Sequence, residues 1–246
     1  MKQPDFLVNA QQILFRMRSV SRKRGLWYVA RTAVARACQF AWRKTFCAGR
    51  TFQFRGKSYR YFLRLYNQGW ATERVVEIPL AQDVMEQYRG KRILEVGNVM
   101  SHYSPAHHDI LDKYEQDKGV INEDVVDFHP ADRYDLIISL STIEHVGWDE
   151  DPRDGTKTLR AVEHLKTCLA PGGTLLVTVP LGYNHDMDRM LKDGKFGFTE
   201  IHCLERVSKD NRWVEADWNN VRQRDWQYNE PFPAANVVVA GEFHNR

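Results

Sequence analysis

From residue 73 onward, short apolar runs alternate with polar segments in which apolar residues recur at helical spacing. Apolar runs of this kind are typical of buried strands, and we expect strands at residues 92–96, 109–111, 134–140, 174–180, 213–218 and 236–243. Helices are predicted at residues 80–88 and 156–169, and apolar side chains share one face of the second. Strands that alternate with helices in this way are typical of an α/β fold with a parallel sheet.

The chain before residue 73 has a different pattern. Apolar, aromatic and basic residues at helical spacing indicate amphipathic helices at residues 6–20 and 26–46, separated by a charged turn. Aromatic and polar residues then alternate at residues 51–54 and 58–62, on either side of a charged, glycine-containing turn. This alternation predicts a β-hairpin.

The distribution of charge also divides the chain. Residues 1–60 carry 14 Lys or Arg and one acidic residue, Asp5, whereas the rest of the chain carries 21 basic and 31 acidic residues. We therefore predict a basic, aromatic-rich extension at residues 1–72, followed by a domain at residues 73–246. Such an excess of positive charge favours an anionic partner for the extension.

Three roles are open for this basic segment. Its arginines can meet anionic lipid headgroups while aromatic side chains such as Trp27 and Trp42 enter the membrane interface. The same charges can pair with nucleic-acid phosphates, or the apolar faces of the helices can pack on the domain. We give equal weight to contact with an anionic membrane surface through residues 1–50 and to packing on the domain. Binding to nucleic acid is less favoured than either.

Composition excludes several classes of protein. The apolar runs are far shorter than the roughly 20 residues of a membrane-spanning helix, so a transmembrane protein is not expected. The four cysteines lie far apart without a CxxC pair, so neither a disulfide framework nor a zinc site is indicated. We expect a reducing compartment, and therefore a cytoplasmic protein. If the basic extension contacts a membrane, it holds the protein peripherally at the inner face.

Three motifs follow one another in the domain: Ile93-Leu-Glu-Val-Gly97, a strand that leads to Glu144-His145-Val146, and a turn that ends in Pro171-Gly-Gly173. Together they resemble the class I S-adenosylmethionine-dependent methyltransferases over residues 73–243 and, more distantly, bacterial methyltransferases of surface polysaccharide synthesis. The resemblance implies a doubly wound, mostly parallel, seven-stranded Rossmann-like sheet. It also implies S-adenosylmethionine as cofactor and a sugar or lipid-linked glycan as the acceptor that is O-methylated.

The resemblance places cofactor-binding residues at the carboxyl ends of the first three strands. A glycine at such a position lets backbone amides approach a ligand closely, which is the role implied for Gly97. Glu95 would face the methionine part of the cofactor, and Asp112 would accept hydrogen bonds from the ribose hydroxyls. Asp124 would lie near the adenine.

The loop after Gly97 departs from the family pattern, because it lacks the further glycines that usually follow. We expect Asn98, which tolerates a positive φ, to replace the second glycine in the cofactor site, and Pro105 to leave a short or distorted helix. A catalytically silent methyltransferase-like binding or scaffold protein at a membrane complex is the alternative. A dinucleotide-dependent oxidoreductase is disfavoured, because no GxGxxG follows the first strand.

The candidate for the chemical step is His145, which follows a strand that is predicted to end at the cleft. A neutral imidazole can take a proton from a hydroxyl near neutral pH. A structural role for His145 is an equal alternative, and Tyr183 and His185 are second candidates for contact with a small-molecule or glycan acceptor. The histidines close to Pro105 match no familiar metal site, so no metal is expected.

Overall fold

The computed structural model describes residues 25–47 and 49–246. The chain divides into two compact units, at residues 1–48 and 49–246. The β-hairpin that the sequence predicts lies in the second unit.

In the first unit, helix α1 (Leu26–Phe46) confirms one of the two predicted N-terminal helices. The other, at residues 6–20, lies outside the described residues. Arg43 and Lys44 occupy the last turn of α1, where positive side chains interact favourably with the helix dipole. Across the described residues, no helix is both long enough and apolar enough to cross a membrane.

The second unit contains the hairpin and a central sheet flanked by helices. In this part of the chain the strands are β1 (Thr51–Phe54), β2 (Lys57–Arg60), β3 (Ile93–Val96), β4 (Asp109–Leu111), β5 (Val120–Ile121), β6 (Tyr134–Leu140), β7 (Leu169–Pro180), β8 (Glu200–Arg206), β9 (Trp213–Ala216) and β10 (Val237–His244). The α-helices are α2 (Arg74–Gln87), α3 (Lys157–Thr167), α4 (His185–Lys192) and the short α5 (Trp218–Val221).

The central sheet has the strand order β5-β4-β3-β6-β7-β10-β8-β9. Strands β3 to β7 are mutually parallel, whereas β10 runs antiparallel between β7 and β8, and β9 pairs antiparallel with β8. The doubly wound, mostly parallel α/β fold is thus confirmed, with eight strands in the sheet instead of the predicted seven. The hydrophobic pattern did not reveal two of these strands. Strand β5 has only two residues, and half-buried charged and polar residues occupy much of β8.

The Pro-Gly-Gly turn differs from its prediction. It lies within β7 instead of before it, as a bulge between the pairs Tyr134↔Leu169 and Leu136↔Thr174. Gly172 has a φ of 76°, a conformation that favours glycine. Its amide donates to the carbonyl of Asn245 at 2.6 Å, so the bulge also joins β7 to the end of the chain.

Both faces of the sheet are covered, and β6 shows how its sequence permits this. Ile137 faces the cluster that includes apolar residues of α3 and α4, whereas Leu136 and Ile138 face the cluster that includes residues of α2 and the hairpin. Alternate side chains of a strand point to opposite faces, so a continuous apolar run is needed where both faces are buried. Each fully buried side chain of this size contributes about 1.5–3 kcal/mol.

Helix α2 begins earlier than predicted, at Arg74 instead of residue 80, and contains Pro79. Proline has no amide to donate to the carbonyl four residues earlier, which here belongs to Val75. That carbonyl instead accepts the amide of Phe62 at 3.0 Å. The lost helical bond is therefore replaced, and the early turn of α2 brings Glu73, Arg74 and Glu77 to the end of β6.

Candidate active site

A cavity of about 270 Å³ lies at the carboxyl ends of β3, β4 and β6. The chain leaves β3 for β4 on one side and returns to β6 on the other, so the cavity lies at a switch point of the sheet, where ligands bind in folds of this type. Its lining comprises Val96, Gly97, Leu111, Asp112, Lys113, Tyr114, Glu123, Asp124, Val125, Thr142, His145, Val146, Asp149 and Glu150. The fold thus brings the predicted residues Gly97, Asp112, Asp124 and His145 to one cavity.

Gly97 forms the floor of the cavity at the end of β3. Its φ is 87°, and a Cβ at this position would overlap the side chain of Thr142. The Gly97 amide donates to the carbonyl of Leu111 at 2.8 Å. A larger residue would therefore be strained in its backbone and would displace Thr142, which follows β6.

Glu95 lies beneath the loop that follows Gly97 and outside the cavity lining. It is 0% exposed, and its Oε1 accepts the amides of Val99 at 3.0 Å and Met100 at 2.7 Å. Its Oε2 lies 2.8 Å from Nε2 of His108. Both carboxylate oxygens are thus used to shape the loop, and a direct contact of Glu95 with the cofactor stays a prediction.

Asn98 does not have the conformation that was expected of it. In the loop of residues 97–103, only Gly97 has a positive φ, so the expectation that Asn98 replaces a second glycine through a positive φ is wrong. Asn98 is buried, and its Nδ2 donates to Glu115 Oε1 at 3.0 Å while its Oδ1 accepts the hydroxyl of Ser101. The loop closes through a single 3-10 turn, which confirms the prediction of a short or distorted helix here.

Asp112 follows β4 at the edge of the cavity. Its Oδ1 accepts the amides of Tyr114 and Glu115, each at 2.8 Å, which fixes the carboxylate. Within the described residues Oδ2 has no hydrogen-bond partner, and the side chain is half-buried. Asp112 therefore offers the cavity an oriented carboxylate oxygen that can accept hydrogen bonds.

Asp124 is held by two lysines. Its Oδ2 lies 2.8 Å from Nζ of Lys113 and 2.6 Å from Nζ of Lys157. Lys157 also pairs with Glu150 at 2.6 Å. Although burial raises the pKa of Asp124, the hydrogen bonds from Lys113 and Lys157 outweigh it and lower the pKa to about 2. This wall of the cavity is a network of paired charges.

His145 lies in a 3-10 turn beyond β6, and its Nδ1 is 2.5 Å from Oδ2 of Asp149. The hydroxyl of Tyr183 donates to the same Asp149 oxygen at 2.7 Å, and the rings of Tyr183 and His145 meet edge to face with centroids 4.7 Å apart. Burial raises the pKa of Asp149, but the hydrogen bonds from His145 and Tyr183 lower it below its usual value. The ionised carboxylate thus orients the imidazole, whose Nε2 remains available to take a proton.

Sequence reasoning gave no role to Lys113, Asp149 and Lys157, and it named Glu144 only as part of a motif. The four-residue spacing of His145 and Asp149 could have indicated their contact, since residues four apart lie close together in a helical turn. Of the remaining candidates, His185 begins α4, and its ring centroid is 6.0 Å from that of Trp148. In the described part of the chain, no three His, Cys, Asp or Glu side chains are grouped so as to hold a metal ion.

A family comparison agrees with this site. Residues 61–223 match the model of a methyltransferase-domain family, over more than half of the chain. The chain therefore belongs to this family of methyltransferases. It is an S-adenosylmethionine-dependent enzyme, and S-adenosylmethionine is its cofactor.

Solved structures of methyltransferases match the chain at low identity. One from Thermotoga maritima, described as a possible histamine N-methyltransferase, is 15% identical, with 74% of this chain and 95% of that chain covered and a TM-score of 0.45. NodS, an N-methyltransferase of Bradyrhizobium japonicum in complex with S-adenosyl-L-homocysteine, is 13% identical, with 73% of this chain and 95% of that chain covered and a TM-score of 0.38. The sugar N-methyltransferase KedS8 of a Streptoalloteichus species is also 13% identical, with 72% of this chain and 91% of that chain covered and a TM-score of 0.37. No curated protein matches the sequence.

Proposed function

We propose that this enzyme transfers the methyl group of S-adenosylmethionine to a hydroxyl of a sugar or a lipid-linked glycan, and that His145 accepts the hydroxyl proton. The observation that supports this proposal is the contact of His145 with Asp149 in the wall of the cavity. An oxygen nucleophile becomes more reactive as it loses its proton, and an imidazole oriented by a carboxylate is suited to take that proton.

The chemistry of the cavity lining suits the cofactor. The apolar side chains of Leu111, Val125 and Val146 line it and suit the faces of an adenine ring. Asp112 retains an oxygen for the ribose hydroxyls, and the proposal keeps Asp124 as the acidic residue beside the adenine. The proposal keeps Gly97 as the position where the backbone comes close to the cofactor.

The protein's task in the transfer is to align the two reactants and to manage one proton. Bound S-adenosylmethionine supplies an electrophilic methyl group, whose bond to sulfur breaks as the bond to the acceptor oxygen forms. His145 Nε2 receives the hydroxyl proton, and the negative charge of Asp149 stabilises the imidazolium that results. The products are a methyl ether and S-adenosylhomocysteine, and the proton then passes from the histidine to water.

The basic extension is assigned a localising role in this proposal. Residues 1–50 would hold the enzyme on an anionic membrane at its cytoplasmic face, where lipid-linked glycans of surface polysaccharide synthesis are built. The support is the charge asymmetry of the chain, together with the arginines and aromatic residues of α1.

The test is methyl transfer from S-adenosylmethionine with a labelled methyl group to soluble sugars and to lipid-linked oligosaccharides, with the products identified by mass spectrometry. We expect an O-methyl ether. A His145→Ala variant should lose transfer, whereas His129→Ala, at an exposed histidine outside the cavity lining, should keep it. Products methylated only on nitrogen, or full activity of the His145 variant, would contradict the proposal.

A further inference from the structure

Three buried carboxyl groups are clustered near the end of β6, and one of them, Glu144, directly precedes His145. Glu73 and Glu77 come from the start of α2, and Glu144 precedes His145 at the end of β6; their exposures are 7%, 0% and 2%. Among the described residues around them, Arg74 is the one guanidinium in this cluster. Three acidic groups therefore share one cation in a region from which water is largely excluded.

Glu77 forms an ion pair with Arg74, and both of its carboxylate oxygens accept hydrogen bonds. Arg74 Nη1 is 2.9 Å from Glu77 Oε2, and the hydroxyls of Ser141 and Thr178 donate to Glu77 Oε1 at 2.5 Å and 2.7 Å. Arg74 also donates to the carbonyl of Leu140 at 2.8 Å. This pair connects α2 with β6 and β7, and Arg74 is thus already engaged by Glu77 and the end of β6.

Glu144 is the member of the cluster with an unpartnered carboxyl oxygen. Its Oε2 is buried and has no hydrogen-bond partner among the described residues. The backbone carbonyl of Glu144 accepts Nδ2 of Asn184 at 2.8 Å, which holds this residue in place. Glu144 lies outside the cavity lining, but the next residue, His145, is part of it. An unsatisfied buried carboxyl oxygen is costly, so its retention next to His145 points to a ligand that completes it.

The electrostatics identify the kind of ligand that is missing. Burial raises the pKa of Glu144 well above its usual value, and the charges of Glu77 and Glu73 add to this while Arg74 opposes it. The charge of Glu144 is also one of the contributions that raise the pKa values of Tyr183 and Tyr228. A cation at this point would supply both the absent hydrogen-bond donor and the absent positive charge.

We propose that Glu144 binds the protonated amino group of the acceptor, so that the acceptor is an amino sugar or another vicinal amino alcohol. This inference rests on the proposed function, which places the reacting hydroxyl at His145. His145 Nε2 lies 3.7 Å from Oε1, the other oxygen of the same carboxyl group, so the two acceptor groups belong on neighbouring atoms. Glu144 thus selects and orients the acceptor, and His145 handles the proton.

A neutral polyol is the competing occupant. Its hydroxyl could donate to Glu144 Oε2, but it would leave the excess of acidic groups uncompensated. Hydrogen bonds to charged groups are stronger than neutral ones, so the ammonium group should bind more tightly. Ethanolamine and ethylene glycol differ in this one group and are the smallest probes that separate the two occupants.

The experiment measures the affinity of each probe for the full chain by calorimetric titration in saturating S-adenosylhomocysteine. In the unaltered protein, labelled with ¹³C-glutamate, the carboxyl carbon resonance of Glu144 is followed during the same titrations. Ethanolamine should bind about 10- to 100-fold more tightly than ethylene glycol, and this preference should disappear in Glu144→Gln. A Glu163→Gln control, at an exposed carboxylate on α3, should keep it. Equal binding of the two probes, no response to ethanolamine, or an unchanged preference in Glu144→Gln would overturn the proposal.

Two further readouts separate this proposal from the function on which it rests. Calorimetry with S-adenosylhomocysteine reports on the cofactor site alone, and we expect Glu144→Gln to bind it as the unaltered protein does. Product analysis reports on the methylated atom, since N-methylation of an amino alcohol would contradict the O-transfer while leaving ammonium binding at Glu144 intact.

Discussion

The carboxyl groups on the two sides of the cavity differ in their partners and in their pKa values. On the side of β4 and β5, Asp124 lies between two lysines, and their hydrogen bonds lower its pKa to about 2. On the side of β6, Glu144, which precedes His145 of the lining, is buried without a partner for Oε2, and its pKa is raised well above the usual value. Paired charges hold a surface in one arrangement, whereas a buried carboxyl oxygen without a partner costs free energy that a ligand can recover. The first side therefore holds its geometry, and in our proposal the second receives a ligand.

The largest expected effect concerns the proton acceptor. His145→Ala should lower kcat by about 10²- to 10⁴-fold, because the acceptor hydroxyl then keeps its proton as the methyl group arrives. The affinity for S-adenosylhomocysteine, measured by calorimetry, should stay nearly constant. A loss of kcat below about threefold would make His145 structural and direct attention to Tyr183 and His185.

A second change tests the role of Gly97 at the end of β3. Gly97→Ala combines a positive φ with an overlap against Thr142, and should reduce the free energy of unfolding by about 1–3 kcal/mol while weakening cofactor binding. Gly90→Ala is the matched control, since Gly90 also has a positive φ but has no atom near its would-be Cβ. Equal destabilisation of the two variants in urea unfolding would show that the contact with Thr142 is unimportant.

A third change tests the assignment of the ribose. Asp112→Ala should weaken S-adenosylhomocysteine binding by roughly 1–3 kcal/mol, the usual loss when a buried polar group loses its partner. The comparison variant is Asp117→Ala, in the exposed turn before β5, where no change is expected. Unchanged affinity in Asp112→Ala would transfer the role to Glu115.

The paired side also makes a prediction about pH. Because the pKa of Asp124 is lower in the folded protein than in the unfolded chain, the ionised form stabilises the fold. This contribution is fully present above the unfolded value of about 4 and is lost as the pH falls through about 2. Lys157→Met should reduce the acid dependence of unfolding in this range. An identical dependence in the variant would contradict the pairing.

The smallest effect is expected at the extension. The full chain should sediment with anionic liposomes more than a chain that begins at Thr51, because headgroup attraction and apolar burial act together. Salt screens the first contribution, with a Debye length of about 10 Å at 0.1 M, but not the second, so binding should fall with salt without vanishing. Equal sedimentation of the two chains would remove the extension from this role, and unfolding of the shorter chain would favour the packed arrangement.

Much of the fold could be predicted because buried parallel strands need apolar residues on both faces. Strands β3, β4 and β6 follow from such runs, and their carboxyl ends explain why Gly97 and Asp112 line one cavity. Strand β8 could not be found in this way, since its half-buried polar positions break the pattern. The start of α2 was missed because Pro79 is normally a helix breaker, and the amide that compensates for it comes from Phe62.

For the candidate site, the sequence predicts which positions along the chain contribute residues, but not how those residues are paired. The sequence locates acidic residues and His145 after strands, but the partners of these residues come from tertiary contacts. Lys157 reaches Asp124 from α3, 33 positions away, and Glu77 contributes to the pKa of Glu144 from α2. Burial and charge balance, which distinguish Asp124 from Glu144, are properties of the folded chain.

Calorimetric titration with S-adenosylhomocysteine of the unaltered protein, Asp112→Ala and Glu144→Gln tests the division of the cavity most directly. We expect the unaltered protein to bind one equivalent, Asp112→Ala to bind about 10-fold more weakly or worse, and Glu144→Gln to bind as well as the unaltered protein. The absence of binding by the folded, unaltered protein, or an equal loss in both variants, would contradict a cavity with a cofactor side and a separate acceptor side.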